Sequence, residues 1–320
     1  MIDFSIIVPV YNVQKYINEC LYSIVIQDGD FTCEVIIIND GSTDKSLDYV
    51  NNFILQFKAQ TNNWHVYSQK NSGLSAARNT GMAYATGKYI IFLDSDDALV
   101  FGSLDFLKIT LIRKDVEVLV FAGNDFYDRQ LSLEADSFKV ENDYYFESYT
   151  RNFFDNQRLT GSDFLFHSYE IDVFQPNACF HCIRRDFLVN SEVRFLEGVY
   201  FEDNLFTREL YLKTKNLFVI NIPVILHRQR LGSIMNSNWS KEKTSSMLKV
   251  INAINRLSIL DSKMTIHAED LLMNLIRHLR RNKFNFSLLE FLKYKIVITN
   301  FRVIEFLIST LKLNIIAKFK

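Results

Sequence analysis

The sequence has few of the residues that interrupt regular structure, with 3 prolines and 10 glycines among 320 residues. Because 48% of its residues are hydrophobic, it is not a disordered, collagen-like or low-complexity chain, and it can bury a substantial core. Four cysteines are too few for a disulfide scaffold in a chain of this size, so a reducing cytoplasm fits best. The length predicts one large domain with an appendage, or two domains.

Long apolar stretches are also missing. The best candidate for a membrane-spanning helix, residues 296–316, contains Arg302, Glu305 and Lys312, so we expect no spanning helix. The chain opens on the strand-like residues 4–10 without a basic segment before them. This opening is not typical of a secretory signal, and we expect none.

The chain has almost no net charge, since 36 basic residues face 37 acidic ones. This balance argues against a wholly basic nucleic-acid-binding protein, and we expect no nucleic-acid partner. The charge is unevenly distributed, however. Residues 241–320 contain 15 basic and 6 acidic residues, whereas the first 240 contain 21 basic and 31 acidic ones. We therefore expect the two parts to meet different partners.

The basic C-terminal region is open to two interpretations. Its charged residues alternate with phenylalanines, which is typical of an amphipathic segment on an anionic membrane surface, and we favour this interpretation. The alternative is a helical bundle that packs on the rest of the protein and exposes a basic face. The basic residues concerned are Arg277, Arg280, Arg281, Lys283, Lys293, Lys295, Arg302, Lys312, Lys318 and Lys320.

Short apolar runs alternate with amphipathic stretches of helical spacing through the first 125 residues. This alternation predicts an α/β fold with a parallel sheet and right-handed crossovers. The predicted strands are residues 4–10, 34–39, 64–68, 89–93 and 116–121. Ligands of such sheets bind beyond the carboxyl ends of the strands, so the polar residues that follow the strands are the candidates for a binding site.

The strongest chemical signal is the run Asp94-Ser95-Asp96-Asp97, directly after a predicted buried strand. Several carboxylates at a strand end offer the oxygen ligands that Mg²⁺ or Mn²⁺ takes, together with the phosphates of a substrate. The alternative is a solvated acidic turn. The preceding buried strand favours the metal site, because it places the run at the ligand-binding edge of the sheet.

Three further polar positions lie near the same predicted edge. Asp40 opens a turn that either presents a carboxylate to a ligand or simply leads into a helix capped by Ser42 or Thr43. Tyr11 follows the first strand, where its ring could stack on a planar base or be an ordinary half-buried tyrosine. Arg78 follows the loop at residues 71–75 and can meet either phosphate or carboxylate.

Two weaker signals involve histidine and cysteine. Cys179, His181 and Cys182 suggest zinc, but no second pair lies at a suitable spacing, so we interpret the two cysteines as free thiols. His227 abuts Arg228 and is a candidate for an extra metal or phosphate ligand. We slightly favour a histidine that only ends a strand.

Taken together and in order, these motifs resemble the inverting glycosyltransferase family 2, whose fold is called GT-A. The resemblance covers about residues 4–236 in several pieces and implies an α/β, Rossmann-like nucleotide-sugar-binding domain with a mixed sheet. The segments that carry it are Ser5-Ile6-Ile7-Val8-Pro9-Val10-Tyr11-Asn12, Asn39-Asp40-Gly41-Ser42, Asn71-Ser72-Gly73, Arg78-Asn79-Thr80-Gly81, Phe92-Leu93-Asp94-Ser95-Asp96-Asp97, Phe201-Glu202-Asp203 and Arg228-Gln229-Arg230.

The resemblance implies a role for each matching position. The nucleotide sugar would be bound by Pro9, Tyr11, Asp40, Gly73, Arg78, Asp94, Ser95, Arg228 and Arg230. Among these, Pro9 and Tyr11 would line the base pocket, Asp40 would bond the uracil edge, and the two C-terminal arginines would approach the diphosphate. Asp96 would hold Mn²⁺ or Mg²⁺, with Asp94 and His227 as further candidates. Asp203 would be the catalytic base, with Glu202 beside it.

Two segments depart from the family pattern. Asn39 stands where the family often has a first aspartate before Asp40, which leaves the second acid intact. Residues 176–182 read Pro-Asn-Ala-Cys-Phe-His-Cys where relatives often have a Trp-Asn-Lys-like segment. The second departure weakens inference about the acceptor but not about the donor.

The resemblance divides the chain at a soft boundary. Residues 1–236 would form the catalytic domain, with a donor half to about residue 125 and an acceptor half at about 126–236. Residues 237–320, which contain no glycine or proline from Lys241 onward, would form a basic amphipathic helical region at the inner face of the cell membrane.

The implied activity is metal-dependent, inverting transfer of a sugar from a UDP-sugar to a saccharide acceptor. The acceptor is expected to be lipid-linked, for example to undecaprenyl diphosphate, in bacterial surface polysaccharide assembly such as O-antigen or capsule. The alternatives are a noncatalytic nucleotide-sugar or glycan-binding module, a nucleotidyltransferase, or a retaining transferase. A dinucleotide dehydrogenase is disfavoured because no Gly-x-Gly-x-x-Gly follows the first strand.

Overall fold

The computed structural model describes residues 1–127, 138, 146–149, 152–230 and 239–281. Its strands are β1 (Phe4–Val10), β2 (Cys33–Asn39), β3 (Trp64–Ser68), β4 (Tyr89–Phe92), β5 (Ala98–Leu99), β6 (Val118–Tyr127), β7 (Phe146–Tyr149), β8 (Arg158–Leu159), β9 (His181–Arg184) and β10 (Leu217–Gln229). Its α-helices are α1 (Ile17–Val25), α2 (Ser46–Gln56), α3 (Leu74–Tyr84), α4 (Ser103–Lys114), α5 (Gly161–Glu170), α6 (Arg185–Asn190), α7 (Asp203–Lys213), α8 (Lys241–Arg256) and α9 (Met264–Arg281).

The first four strands form the parallel part of the sheet in the order β3-β2-β1-β4. Ile6 of β1 lies opposite Val35 of β2 on one side and Ile91 of β4 on the other. Every residue of β1 is buried, as expected for a parallel strand that is covered by helices on both faces. The α/β fold predicted from the alternating pattern is therefore confirmed for this part of the chain.

Helix α3 packs very close to β1, and Gly81 is the reason it can. A Cβ atom at this position would lie 2.3 Å from Cγ2 of Ile7, which no side chain tolerates. The absence of a side chain brings α3 down onto the strand. This contact fixes α3, which contains Arg78, and the loop before it relative to the carboxyl ends of the strands.

The five strands predicted from the alternating pattern all run in the same direction, but beyond β4 strands from later in the chain make the sheet mixed. Strand β9 inserts antiparallel between β4 and β6, with Ile183 opposite Ile90 on one side and Val118 on the other. Strand β10 then pairs parallel with β6 and antiparallel with β5. The mixed sheet agrees with the fold that the family resemblance implies.

The C-terminal helices α8 and α9 pack on α7. Ser240 caps α8 by accepting a hydrogen bond from the backbone N–H of Lys243. An apolar cluster joins the three helices and consists of Leu205, Leu248, Val250, Ile251, Ile254, Ala268, Leu272, Leu275 and Ile276. As far as Arg281, the C-terminal region therefore packs as a helical bundle on the rest of the protein, which is the second of the two interpretations. Most of the basic tail invoked for membrane contact, residues 282–320, lies outside the described residues.

None of the helices described has the length and apolar character needed to span a bilayer.

Candidate active site

Three polar segments meet at the carboxyl ends of adjacent strands, as predicted. Tyr11 follows β1, Asp40 follows β2 and Asp94 follows β4, and β1 lies between the other two strands. Tyr11 is 47% exposed, so its ring is available at the surface of this edge. Pro9 is buried within β1 and lies opposite Ile38.

Asp40 fastens the loop that precedes α3. Its side chain is buried, and Oδ1 accepts hydrogen bonds from Gln69 Nε2 at 2.8 Å and from the backbone N–H of Ser72 at 2.9 Å. Oδ2 accepts a bond from the backbone N–H of Gly73 at 2.8 Å. Gly73 has a φ of +89°, a conformation that glycine adopts without strain. The sequence predicted a turn with Asp40 free for a ligand, and the bonds that Asp40 makes to the loop before α3 were missed.

Arg78 joins three carboxylates, one that follows β4 and two at the start of α7. Its guanidinium is buried, and Nη2 donates to Asp94 Oδ1 at 2.8 Å. Nη1 donates to Glu202 Oε1 at 3.0 Å and to Asp203 Oδ1 at 2.9 Å. The sequence left open whether Arg78 meets phosphate or carboxylate, and the structure brings it to three carboxylates.

Two carboxylates of this cluster, those of Glu202 and Asp203, have raised pKa values. Burial raises the pKa of Glu202, and the neighbouring Asp203 raises it further against the effect of Arg78, to about 7. Burial also raises the pKa of Asp203, with Arg78 opposing and Asp94 adding to the shift. A carboxylate whose pKa lies closer to neutrality is a better general base. Asp203 keeps 21% of its side chain exposed, so a substrate hydroxyl can reach it.

Asp96 and Asp97, in the acidic run after β4, contact two arginines near the end of β10. Asp96 Oδ2 accepts from Arg230 Nε at 2.5 Å. Asp97 Oδ1 accepts from the backbone N–H of Arg228 at 2.9 Å, and the Asp96 carbonyl accepts from Arg228 Nε at 2.8 Å. Ser95, which precedes Asp96, is buried. The structure thus places Arg230 and Asp96 together at the predicted site of the diphosphate and metal.

The side chain of Arg228 is held inside the protein. Its Nη2 donates to Glu19 Oε2 at 2.5 Å, and both side chains are almost fully buried. The guanidinium also lies 4.8 Å from the ring centre of Tyr16 and 4.5 Å from that of Phe126. This environment suits a residue that orders the end of β10. The predicted contact with a diphosphate stays a prediction.

Neighbouring carboxylates favour the protonated form of His227. Its Nδ1 lies 2.8 Å from Asp125 Oδ1. Burial lowers the pKa of His227, but Asp97 and Asp125 more than offset this effect and raise it to about 9. A protonated imidazole has no lone pair for a metal, so the predicted metal role would require His227 to lose its proton.

The model of the family described as glycosyl transferase family 2 matches residues 5–157. This part of the chain belongs to that family. The chain is 31% identical over 231 residues to glycosyltransferase GlyA of Streptococcus pneumoniae, covering 72% of this chain and 31% of GlyA. It is 29% identical over 264 residues to GlyG of the same organism, covering 78% of each chain.

A solved structure supports the fold of this family 2 chain. The crystal structure of S. aureus TarS 1–349 in complex with UDP-GlcNAc matches it with a TM-score of 0.64. The match covers 87% of this chain and 73% of that one at 24% sequence identity. At this identity the likeness establishes the GT-A fold and not the substrate.

The acidic side chains of this family 2 site fit a divalent cation shared with a substrate. Asp94 and Asp96 each engage an arginine through one carboxylate oxygen, and no described residue bonds the second oxygen. Among the residues described, no group of three or more His, Cys, Asp or Glu side chains is arranged to hold a metal alone. Two carboxylates completed by substrate phosphates are a usual arrangement for Mg²⁺.

Two residues of the site were missed from the sequence. Glu19 pairs with Arg228 inside the protein, and the signal was an acidic residue within the buried, largely apolar face of α1. Asn12 has a positive φ of 52°, and its Oδ1 accepts from the backbone N–H of Thr43 at 2.8 Å, which ties the ends of β1 and β2 together. The sequence shows that Asn12 follows a predicted strand, but its bond to Thr43 depends on the fold.

The cysteines near the site are inert. Cys179 and Cys182 are buried, and burial raises the pKa of both thiols well above the ordinary value. His181 lies between them and places Nε2 2.5 Å from the hydroxyl of Tyr211. The two cysteines are therefore buried free thiols, in agreement with the interpretation from the sequence, and His181 is buried beside them.

Proposed function

We propose that this chain transfers a sugar from a UDP-sugar to a hydroxyl group of a saccharide acceptor, with inversion at the anomeric carbon. One observation carries the proposal: Arg78 holds Asp94, at the end of a donor-side strand, beside Glu202 and Asp203, at the start of α7. Residues 125 positions apart in the chain thereby share one site. This is the arrangement that transfer between two bound substrates requires.

Asp203 is the proposed base. The acceptor oxygen attacks the anomeric carbon, its proton passes to the Asp203 carboxylate, and the bond from that carbon to the UDP oxygen breaks. The raised pKa of Asp203 favours proton uptake, and Arg78 holds its Oδ1 in place. Glu202 shares the same guanidinium and is the second candidate.

The donor side stabilises the leaving group. Asp94 and Asp96 would hold Mg²⁺ or Mn²⁺, which supplies positive charge to the departing diphosphate. Arg230 lies on Asp96 and is positioned to exchange its carboxylate for a phosphate when the donor binds. Tyr11, exposed beyond β1, is the proposed stacking surface for uracil. The TarS structure in complex with UDP-GlcNAc supports a UDP-sugar as the donor.

The acceptor is proposed to be lipid-linked and to belong to a bacterial surface polysaccharide such as O-antigen or capsule. GlyA and GlyG, which this chain resembles, are bacterial glycosyltransferases, and this supports a bacterial glycan as the product. The excess of basic residues after position 240 supports peripheral binding to the inner face of an anionic membrane. The chain spans 31% of the length of GlyA and 78% of that of GlyG.

The test is a screen of nucleotide sugars for UDP release, with and without a saccharide linked to a polyprenyl diphosphate. We expect one UDP-sugar to release UDP only when acceptor and Mg²⁺ or Mn²⁺ are both present. Asp203→Asn should abolish most of this release, whereas the exposed Asp48→Asn on α2 should not. Failure of wild-type protein to bind UDP with either metal would contradict the proposal.

A further inference from the structure

A cavity of about 760 Å³ lies between the catalytic domain and α8. Three segments line it: the loop at residues 71–75, the segment at 198–200, and one face of α8. The residues of α8 concerned are Lys241, Glu242, Ser245, Ser246 and Lys249. The roles assigned above use none of these five side chains.

The orientation of α8 follows from its pattern. Leu248, Ile251 and Ile254 are buried in the cluster that joins α8 to α7 and α9. The residues that line the cavity recur at steps of about four along the opposite, polar side, which is the spacing of one helix face. Lys241 and Lys249 lie two turns apart, about 12 Å along the axis. The apolar packing therefore holds both lysines over the cavity.

The cavity attracts anions. Both lysines are exposed, and neither forms an ion pair with any residue in the described part of the chain. Glu242 is the one acidic side chain among the lining residues, so the lining has a net positive charge. The amino-terminal turn of the 16-residue helix α8, which carries Lys241, adds partial positive charge from its backbone. Lysines are common ligands of phosphate.

A buried hydroxyl in the same wall lacks a partner. Ser75 is 2% exposed, lines the cavity, and its Oγ makes no hydrogen bond to any described residue. Buried hydroxyl groups are usually bonded, so an unpaired one marks a place where a ligand or water belongs. This observation is independent of the lysines and comes from the opposite wall.

The walls of the cavity lead into the segments that carry the carboxylate cluster. The segment at 198–200 ends three residues before Asp203, and the loop at 71–75 ends three residues before Arg78. Asn79 of α3 is bonded to the chain just before the segment at 198–200, since its Nδ2 donates to the Phe195 carbonyl at 2.9 Å and its Oδ1 accepts from the Phe195 N–H at 3.0 Å. A molecule in the cavity would therefore touch the two segments that lead into Arg78 and Asp203.

We infer that this cavity binds a phosphate group of the acceptor, with Lys241 and Lys249 as its cationic ligands. The inference rests on the proposed function. Asp94 and Asp96, at the strand ends, are assigned to the donor diphosphate, whereas the two lysines face the segment that leads into Asp203. A neutral saccharide would leave both ammonium groups without a partner. The phosphate could belong to a prenyl diphosphate carrier or to a phosphodiester within the glycan.

The test measures phosphate binding to the full chain with the donor site filled. Wild-type protein is first titrated with UDP and Mg²⁺ by calorimetry. Geranyl diphosphate or glycerophosphoglycerol is then titrated into the saturated complex, with geraniol and glycerol as uncharged controls. We expect the double variant Lys241→Ala/Lys249→Ala to bind the phosphate probes about tenfold or more weakly, because each lost contact is charge-assisted.

Two matched variants complete the design. Lys58→Ala/Lys215→Ala removes two exposed lysines elsewhere and should bind every probe as wild type does. Lys241→Arg/Lys249→Arg keeps the charge and should retain binding. A preference for geranyl diphosphate would identify a lipid carrier as the source of the phosphate, and a preference for glycerophosphoglycerol would identify the glycan.

The outcomes separate this inference from the function on which it rests. Normal UDP binding together with equal phosphate binding by wild type and the alanine double variant would overturn the inference alone. The same conclusion would follow if wild type bound no phosphate probe, or bound the uncharged controls equally well. Absence of UDP binding would instead contradict the proposed function.

Discussion

The two halves of the catalytic domain build their functional groups in different ways. In the donor half, Tyr11, Asp40 and Asp94 each follow a parallel strand and reach the same edge through simple strand order. In the acceptor half, Asp203 begins a helix and His227 lies within a strand of a mixed sheet. Local pattern thus positions the donor site, whereas long-range contacts such as that of Arg78 with Asp203 position the acceptor site.

We therefore expect the two halves to have different roles in the reaction. The donor half would hold the nucleotide and the leaving group, and the acceptor half would supply the base. Substitution of Glu202 or Asp203 should then reduce turnover without weakening UDP binding, whereas substitutions in the donor half, or of Arg230, should weaken UDP binding itself.

The largest expected effect is that of Asp203→Asn in the acceptor half. The amide keeps the shape of the side chain but cannot take a proton, so turnover should fall about 10²–10⁴-fold. UDP affinity, measured by calorimetry, should stay close to that of wild type. Near-normal turnover would remove Asp203 from the role and direct attention to Glu202.

Asp96→Ala tests the donor half. Removing the carboxylate should abolish the metal-dependent part of UDP binding, because a principal oxygen ligand is lost. Calorimetry with UDP, with and without Mn²⁺, measures this part directly. Asp48→Ala, an exposed acidic residue on α2, is the control and should bind as wild type does. Undiminished metal-dependent binding by Asp96→Ala would exclude Asp96 as the ligand.

A smaller effect is expected for the basic region that follows both halves. Each lysine near an anionic surface contributes about 1 kcal/mol. Lys293→Gln/Lys295→Gln in the full chain should therefore weaken binding to anionic vesicles, measured by flotation, by about 30-fold, and added salt should weaken the binding of wild type. Lys58→Gln/Lys215→Gln is the matched control. Wild-type protein that ignores anionic vesicles at low salt would contradict membrane contact.

The smallest expected effect is on the pH dependence of kcat/KM. Because the pKa of Asp203 is raised, activity should fall on acidification at a pH above the ordinary aspartate value of 3.8. Asp94 is the neighbouring carboxylate whose negative charge raises the pKa of Asp203. Asp94→Asn removes this charge and should move the acid limb downward by up to about one unit. An upward shift would contradict the coupling, and the exposed Glu170→Gln is the control.

Much of the fold and of the donor site could be predicted from the sequence. Strands such as Phe4–Val10 are continuous apolar runs, and the residues after them must lie at the sheet edge if the strands are parallel. Strand β9 was not among the predicted strands, because four residues with the pattern His-Cys-Ile-Arg are too few to indicate a strand or its direction. Strand direction there depends on pairing with β4 and β6.

The partners of the charged residues could not be predicted. Arg78, Glu19 and Arg228 are ordinary surface residue types in the sequence, yet all three are buried. Their burial is stable only because residues far apart in the chain neutralise them, as Glu19 does for Arg228 across 209 positions. Such pairs are a property of the folded chain. The motif order selected candidate residues, and only the fold shows which of them touch.

The measurement that tests the account most directly is the anomeric configuration of the product, read by nuclear magnetic resonance once a donor and acceptor are known. If the donor half holds the leaving group while Asp203 activates the incoming hydroxyl, transfer occurs in one displacement. The new glycosidic bond must then have the configuration opposite to that of the UDP-sugar. Retention of the donor configuration would contradict this division between the two halves.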